Sequence, residues 1–277
     1  MHKAFSDAGG RMGYASLPNK STIAMTAFRR LALTIAFLFS ILLPLRGEQH
    51  LEFIWGHQTT RCTYLSPLSY TGPGYGLSYE WRHASWREKT VGMQAHAQFD
   101  YGYLLSPAKN SRMYDLTFRL DWGVERLWNT PSGFNWSIGA TVGADGGVIY
   151  LPRNGNNPAQ ALMWAGATLT ARGGYGRLKL CGKPLRISES LEVPTLGAFF
   201  CPAYGETYYE IYLGNHNGLA HFGWWGNRPQ VRSRLRADWQ LGRYALTLGF
   251  DYRFQGLECN DITTRLAQCS AVIGISF

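Results

Sequence analysis

The residues of this chain with the clearest potential for catalysis are a histidine and a serine two positions apart, His83 and Ser85. Residues i and i+2 of a β-strand point to the same face, so the imidazole could take the hydroxyl proton and activate Ser85 as a nucleophile. An acid or amide would have to orient the histidine, and the sequence assigns none. The alternative interpretation is a polar strand end that leads into a turn at residues 86–89.

A second candidate is a set of charged residues that alternate with apolar ones. If the apolar positions face outward, the charged positions face a common interior. The set comprises Arg119, Arg232, Arg234, Arg236, Arg253, Asp100, Asp115, Asp121, Glu125, Asp238 and Asp251. Rings of charge set ion selectivity in channels, so one hypothesis is a narrow pore with an anion-attracting arginine ladder. The other is a lumen filled by salt bridges among its own side chains.

The turn Gly242-Arg243 fixes a register for part of this set. It predicts that Arg236 faces Gly249, where the missing side chain leaves room for the guanidinium. The other predicted pairs are Arg234 with Asp251, Asp238 with Thr247, and Arg232 with Arg253.

The five cysteines permit a disulfide in an oxidising compartment. Cys62 and Cys269 should lie near the same ends of the first and last strands, and Cys259 lies in a nearby loop. One bridge among these three is expected, with the pairing left open. No metal or cofactor is expected, because His216 and His221 have no cysteine or acid between them to complete a ligand set.

The elements that must position these residues are long alternating strands. Residues 91–103, 114–125 and 134–145 each keep apolar side chains on one parity and polar ones on the other. Soluble β-sandwiches also alternate, but in shorter runs, whereas a tilted membrane strand needs about 9–11 residues. Only a closed sheet can span lipid with its backbone groups paired. The pattern therefore predicts an all-β fold, a transmembrane antiparallel up-and-down β-barrel.

Counting backward from the last residue gives twelve strands, with ten as the alternative. The segments are 51–64, 75–86, 91–104, 113–128, 134–149, 159–172, 176–182, 195–201, 207–213, 229–241, 243–256 and 263–277. Alternate connections are short, which is typical of the periplasmic side of such barrels. Both termini of the barrel should therefore be periplasmic. The short connections are 87–90, 129–133, 172–175, 202–206 and 242–243, and the long ones include 65–74, 151–158 and 214–228.

The N-terminal region predicts a leader rather than part of the barrel. Arg29 and Arg30 precede fifteen apolar residues, 31–45, and the small Gly47 follows, as in a secretory signal peptide. We assign residues 1–47 to this leader, with 1–24 as an upstream start artefact, and 48–277 to the barrel. The barrel keeps 21 of the 27 Lys and Arg and 17 of the 18 Asp and Glu, a balance that gives no reason to expect nucleic-acid binding.

Three resemblances add to this interpretation. The terminal Ser276-Phe277, preceded by apolar residues at every second position, resembles the signal that Gram-negative barrels present to the barrel-assembly machinery. Residues 190–277, with the runs 194–205 and 222–229, are similar to an uncharacterised outer-membrane barrel family described as a domain of unknown function. His83-Ala84-Ser85 resembles the His/Ser arrangement of outer-membrane phospholipases and lipid A deacylases. These resemblances imply a compartment and handling by that machinery, but no substrate.

The sequence therefore predicts a monomeric outer-membrane barrel in contact with membrane lipid and lipopolysaccharide. Its leading function is structural, or that of a narrow or gated passive pore with an arginine-lined lumen wall. One alternative is a lipid-modifying hydrolase that uses His83 and Ser85. The other is a surface-binding barrel that acts through its outer loops, above all Gly214–Arg228.

Overall fold

The computed structural model describes residues 46–86, 90–155, 157–214 and 218–277, with the side chains of residues 84–86 left out. The predicted leader falls almost wholly on residues 1–45, outside this part of the chain. The described residues form these elements: β1 Glu48–Cys62, β2 Ser66–Trp86, β3 Val91–Leu105, β4 Arg112–Asn129, β5 Phe134–Tyr150, β6 Ala159–Leu180, β7 Lys183–Phe200, α1 Tyr208–Tyr212, β8 Ala220–Trp224, β9 Gln230–Leu241, β10 Tyr244–Cys259 and β11 Ile262–Ser276.

The strands form one closed antiparallel barrel. Each strand from β1 to β7 pairs with the next, β7 pairs with β9, and β9, β10, β11 and β1 complete the ring. Gln49 and Phe277 close the seam between β1 and the C-terminus with two backbone hydrogen bonds, each 3.0 Å long. The predicted fold class is confirmed.

The closed ring has ten strand positions, although the described part of the chain contains eleven strands. β8 pairs with residues 196–200 of β7, and β9 pairs with residues 185–192 of the same strand. β8 and β9 therefore occupy a single position in the ring, interrupted at residues 225–229. The closed ring corresponds to the smaller of the two strand counts that the sequence left open.

Three predicted segments differ from the strands that form. Residues 159–172 and 176–182 belong largely to the single strand β6, because the glycine-rich stretch between them continues the ladder through an irregularity at Tyr175/Leu178 instead of turning. Residues 183–194, not counted as a strand, form most of β7. Residues 207–213 contain α1, which begins at a capping box in which Thr207 and Glu210 bond each other's backbone amides, a sequence signature of a helix start.

The two ends of the barrel differ in their connections. The terminal end carries Gly47, Phe277 and the connections 87–90, 130–133, 181–182 and 242–243. The distal end carries the connections 63–65, 106–111, 151–158, 201–219 and 260–261. The longest connections are at the distal end, as expected, but four of the predicted connections differ. Most of 65–74 belongs to β2, which begins at Ser66, and residues 220–224 within 214–228 form β8. Residues 172–175 lie inside β6, and residues 202–206 belong to the long distal segment.

The barrel wall is apolar outside and polar inside. Trp122 is 53% exposed on the outer face, whereas Arg234 is only 7% exposed in the interior. Other exposed apolar side chains are Phe99, Leu116, Phe118, Leu120, Val142, Leu169, Leu235, Leu248, Phe250 and Ile273. A water-soluble fold buries such residues, so this distribution is that of a barrel surrounded by lipid. Among the residues described, no helix is long and apolar enough to cross a membrane.

Candidate functional site in the barrel lumen

The centre of the lumen is built around two glutamates that each accept hydrogen bonds from two arginines. Arg234 lies between Glu80, at 3.1 Å, and Glu192, with which it forms a close ion pair. Arg119 donates to the other oxygen of Glu192 at 2.8 Å, and Arg172 donates to Glu80 at 2.6 Å. These side chains come from β2, β4, β6, β7 and β9, so the network ties opposite walls of the barrel together. We call these five residues the charged core.

Further ion pairs extend the charged core along the lumen. The Nε and Nη2 atoms of Arg236 donate to the two carboxylate oxygens of Glu52 at 2.6 and 2.7 Å, and Asp251 contacts the same guanidinium. Arg253 donates to Asp100 at 2.7 Å. Bidentate pairs of this kind are among the strongest hydrogen bonds in proteins and hold both partners in a fixed orientation.

All eleven of the lumen residues predicted from the sequence point inward. Ten of them are buried, namely Arg119, Arg232, Arg234, Arg236, Arg253, Asp100, Asp115, Asp121, Glu125 and Asp238, and Asp251 is partly buried. The register predicted from the turn Gly242-Arg243 is confirmed by the β9–β10 ladder.

Residues that lie opposite each other in the β9–β10 ladder do not necessarily form ion pairs with each other. Asp238 accepts a hydrogen bond from Thr247, its predicted partner, at 2.7 Å. Arg234 instead binds glutamates on other strands, although Asp251 lies directly opposite it. Asp251 pairs with Arg236.

Sequence reasoning missed four residues of this network. Glu52, Glu80 and Arg172 lie on the inward parity of strands that were predicted, so extending the parity argument to every segment would have found them. Glu192 lies in β7, in the stretch not counted as a strand, so no parity was available for it.

Arg232 and Arg253 each keep two buried guanidinium nitrogens without a hydrogen bond, Nε and Nη1 in Arg232 and Nε and Nη2 in Arg253. They are directly opposite each other in the ladder, and Arg232 approaches its carboxylates only to 3.6 Å, at Asp145, and 4.0 Å, at Glu192. Both line a cavity of about 20 Å³. A cavity of this size holds a single water molecule, so it offers no continuous passage.

An apolar layer covers the distal side of the charged core. We call it the distal plug, and Tyr64 packs against both of its halves. One half consists of Cys62, Leu65, Tyr70, Leu104, Met113, Ile149 and Leu151. The other consists of Trp164, Phe199, Cys201, Leu257 and Ile262.

The terminal end of the lumen is more open. A cavity of about 230 Å³ lies there, lined by Glu48, Arg82, Arg172 and Arg186 among other residues. It is bounded by Arg172 of the charged core. The lumen therefore has a vestibule at the terminal end, an ion-paired centre and an apolar cover at the distal end.

One member of the proposed catalytic pair, His83, lies away from this interior. His83 is on the outward face of β2, and its ring stacks on Trp81 with centroids 5.9 Å apart. Ser85 belongs to the same strand, but its side chain lies outside the described part of the chain. The hydrolase therefore stays a hypothesis.

No group of three or more metal-binding side chains occurs among the described residues. The Nε2 atom of His221 donates a hydrogen bond to the carbonyl oxygen of Cys201, 3.1 Å away. His216, the other histidine considered as a metal ligand, lies outside the described part of the chain.

The distal segment, residues 201–219, contacts the barrel mouth through its described residues 201–214. The hydroxyl of Tyr64 donates to the carbonyl of Glu206 at 2.6 Å, and the amide of Ala161 donates to the hydroxyl of Tyr208 at 2.6 Å. Tyr209 and Tyr212 of α1 are exposed. This geometry is compatible with the surface-binding alternative, which stays a prediction.

The three cysteines expected to supply a disulfide are not brought together. Cys62 points inward and receives a hydrogen bond from Thr264, whereas Cys269 is exposed on the outer face. A bridge between these two would have to pass through the barrel wall. The partner that lies beside Cys259 is Cys201, because β7 continues to the distal end. No disulfide joins any of the five cysteines in this structure.

Comparison with known proteins gives a family and a set of similar folds. The family model described as "Protein of unknown function (DUF3316)" matches residues 48–276. A search of curated proteins found no match.

Three solved structures illustrate the similar folds. The transport unit of the autotransporter AIDA-I from Escherichia coli is 9% identical, with a TM-score of 0.42, over 84% of this chain and 91% of its own. The translocator domain of the autotransporter NalP from Neisseria meningitidis is 10% identical, with a TM-score of 0.36, over 95% of this chain and 99% of its own. Neisserial surface protein A is 10% identical, with a TM-score of 0.34, over 84% of this chain and 100% of its own.

Proposed function

This chain belongs to the family described as "Protein of unknown function (DUF3316)", and from its barrel we propose that it is a structural outer-membrane protein whose lumen is closed to solutes at rest. The observation that carries the proposal is the charged core. Arginines reach across the lumen to glutamates on opposite walls, so the side chains that would line a pore fill it instead.

The dimensions of the lumen support a closed state. Three cavities beside the charged core measure about 20, 10 and 20 Å³, each at most the space of one water molecule. The distal plug adds a second barrier, because an ion entering it would lose its hydration without gaining a charged partner. Eight-stranded barrels are filled and 16-stranded porins are open, and this ten-position ring is close to the filled class.

The proposed location follows from the outer wall. Exposed apolar side chains form a continuous lipid-facing belt, and closed antiparallel barrels with such belts are characteristic of the Gram-negative outer membrane. We assign the terminal end, with its short turns, to the periplasm and the distal end to the outside. Membrane lipid and lipopolysaccharide are then the expected neighbours, and Phe277, which closes the seam with Gln49, is the expected signal to the barrel-assembly machinery.

Single-channel recording in planar bilayers tests the closed state. Native protein, checked for folding by its altered gel mobility without heating, should give no conductance steps above those of the detergent control. The native protein is expected to give no current and therefore shows no ion preference. Arg234→Ala and Arg236→Ala should accordingly not weaken an existing anion preference.

Two results would reject the proposal in favour of a pore. One is steady conductance by the folded native protein. The other is an anion preference that weakens in either arginine variant. Folded protein that is silent in repeated insertions supports the closed barrel.

A further inference from the structure

Two thiols that the sequence placed at opposite ends of the barrel lie together at its distal end. Cys201 directly follows β7, and Cys259 is the last residue of β10. The Cys201 thiol donates a weak hydrogen bond to the carbonyl oxygen of Cys259, 3.7 Å away, and Cys259 packs against the half of the distal plug that contains Cys201. We propose that Cys201 and Cys259 form a disulfide that fastens the distal segment to the β10–β11 turn.

The surrounding contacts keep these two residues in register. The side-chain amide of Asn260 donates to the carbonyl of Cys201 at 3.4 Å and to that of Pro202 at 3.3 Å. Asn260 and Asp261 form the tight turn with positive φ angles of 51° and 60°. The start of the distal segment is thus already attached to the turn that carries Cys259, and the cross-link would join two segments 58 residues apart.

The remaining cysteines are less suitable partners. Cys269 faces lipid on the outer wall, and Cys181 lies in the β6–β7 turn at the terminal end. Cys62 is the nearest competitor because it belongs to the distal plug, but its sulfur accepts a hydrogen bond from Thr264 and it lies in the other half of the plug from Cys201.

The reaction requires an oxidant, and we assign this role to the disulfide of a periplasmic thiol-oxidising protein. Cys259, the more exposed thiol, loses its proton and attacks that disulfide, which releases one thiolate of the oxidant. Cys201 then loses its proton and attacks the Cys259 sulfur, which releases the second thiolate. Two cysteine thiols are oxidised to one disulfide, and the oxidant is reduced to a dithiol.

The order of folding and oxidation follows from the local environment. Burial raises the pKa of the Cys201 thiol to about 12, so little thiolate exists once the distal plug has formed. The cross-link should therefore form while the distal segment is still open, and reduced, folded protein should reoxidise slowly.

The test uses the full barrel purified from envelopes without reductant, denatured in excess N-ethylmaleimide and digested with trypsin. The five cysteines fall in five different tryptic peptides, with Cys201 in 187–232, since Arg228 precedes a proline, and Cys259 in 254–265. We expect three alkylated cysteines and one linked pair, 187–232 with 254–265. Cys201→Ser and Cys259→Ser should each free the remaining partner, and the control Cys269→Ser should leave the linked pair unchanged.

A second preparation separates the pairing from the proposed location on which the oxidising compartment depends. Protein is reduced, denatured and refolded in detergent with oxidised glutathione. If the linked pair is found in both preparations, both the pairing and the oxidising location are supported. If it is found only after refolding with glutathione, the pairing is supported and the oxidising location is not. Five alkylated cysteines in both, or a linked pair that includes Cys62 or Cys269, would overturn it.

Discussion

At the scale of single residues, Glu192 is the point on which the charged core depends most. It binds Arg119 at 2.8 Å and Arg234 in a close pair, and all three are buried. Replacing a buried carboxylate leaves its arginines without a counter-charge, which typically costs about 3–5 kcal/mol. We expect Glu192→Gln to lower the free energy of unfolding by this amount, measured by urea titration in lipid vesicles.

The control for this prediction is an exposed ion pair on the same barrel. Glu258 binds Arg265 at 3.0 Å, and both side chains are 58% exposed. Exposed pairs contribute at most about 1 kcal/mol, so Glu258→Gln should change stability little. Equal effects of the two substitutions would contradict the assignment of a stabilising role to the charged core.

The directions of these side chains could be predicted from the sequence, but their partners could not. Alternation alone places Arg234 inside, and a two-residue turn alone places it opposite Asp251. Its ion pair with Glu80, 154 residues earlier, depends on which strands face each other across the closed ring. That arrangement requires the strand number and tilt, and the sequence left the strand number open.

At the scale of elements, the errors in prediction have local causes. The glycines at 173, 174 and 176 resemble a turn, but β6 continues through them because Gly173 and Gly174 pair with both β5 and β7. The true turn is Cys181-Gly182, in which both residues have positive φ angles. A cysteine in this conformation is uncommon, so it gave no signal in the sequence.

For the helix α1, by contrast, the sequence contains a helix-start signal that the prediction of a strand at 207–213 overlooked. Thr207 and Glu210 form a capping box, and these hydrogen bonds lower the pKa of Glu210. The ionised form accepts the bonds. The contribution of this capping box to the stability of α1 is therefore present above the ordinary glutamate pKa. It is lost as the pH falls through the lowered pKa of Glu210.

Loss of the cap should loosen the distal segment without opening the barrel. Replacing an N-cap threonine by alanine costs about 1 kcal/mol, so we expect Thr207→Ala to speed chymotrypsin cleavage after the exposed Tyr209 and Tyr212 several-fold, while the barrel itself stays resistant. Thr130→Ala, in a turn at the terminal end, is the matched control and should leave this rate unchanged. An unchanged rate in Thr207→Ala would show that other contacts, such as that between Tyr64 and Glu206, hold the segment.

At the scale of the whole molecule, the barrel reverses the usual distribution of side chains. Apolar residues cover the outside, charged residues fill the centre, and the apolar distal plug is the main buried hydrophobic region among the described residues. The in-phase runs of the sequence predict the outer and central parts directly. The distal plug was not predicted, because its members come from strand ends and turns where alternation is lost.

The most direct test of this arrangement is quenching of tryptophan fluorescence in vesicles made with lipids brominated along the acyl chains. Trp122 lies on the outer face within β4, so the account predicts strong quenching by brominated lipid and weak quenching by aqueous iodide. Trp122→Phe should remove part of the lipid-quenched emission. The account would be contradicted if iodide, and not brominated lipid, quenched the emission and the protein stayed dispersed without detergent.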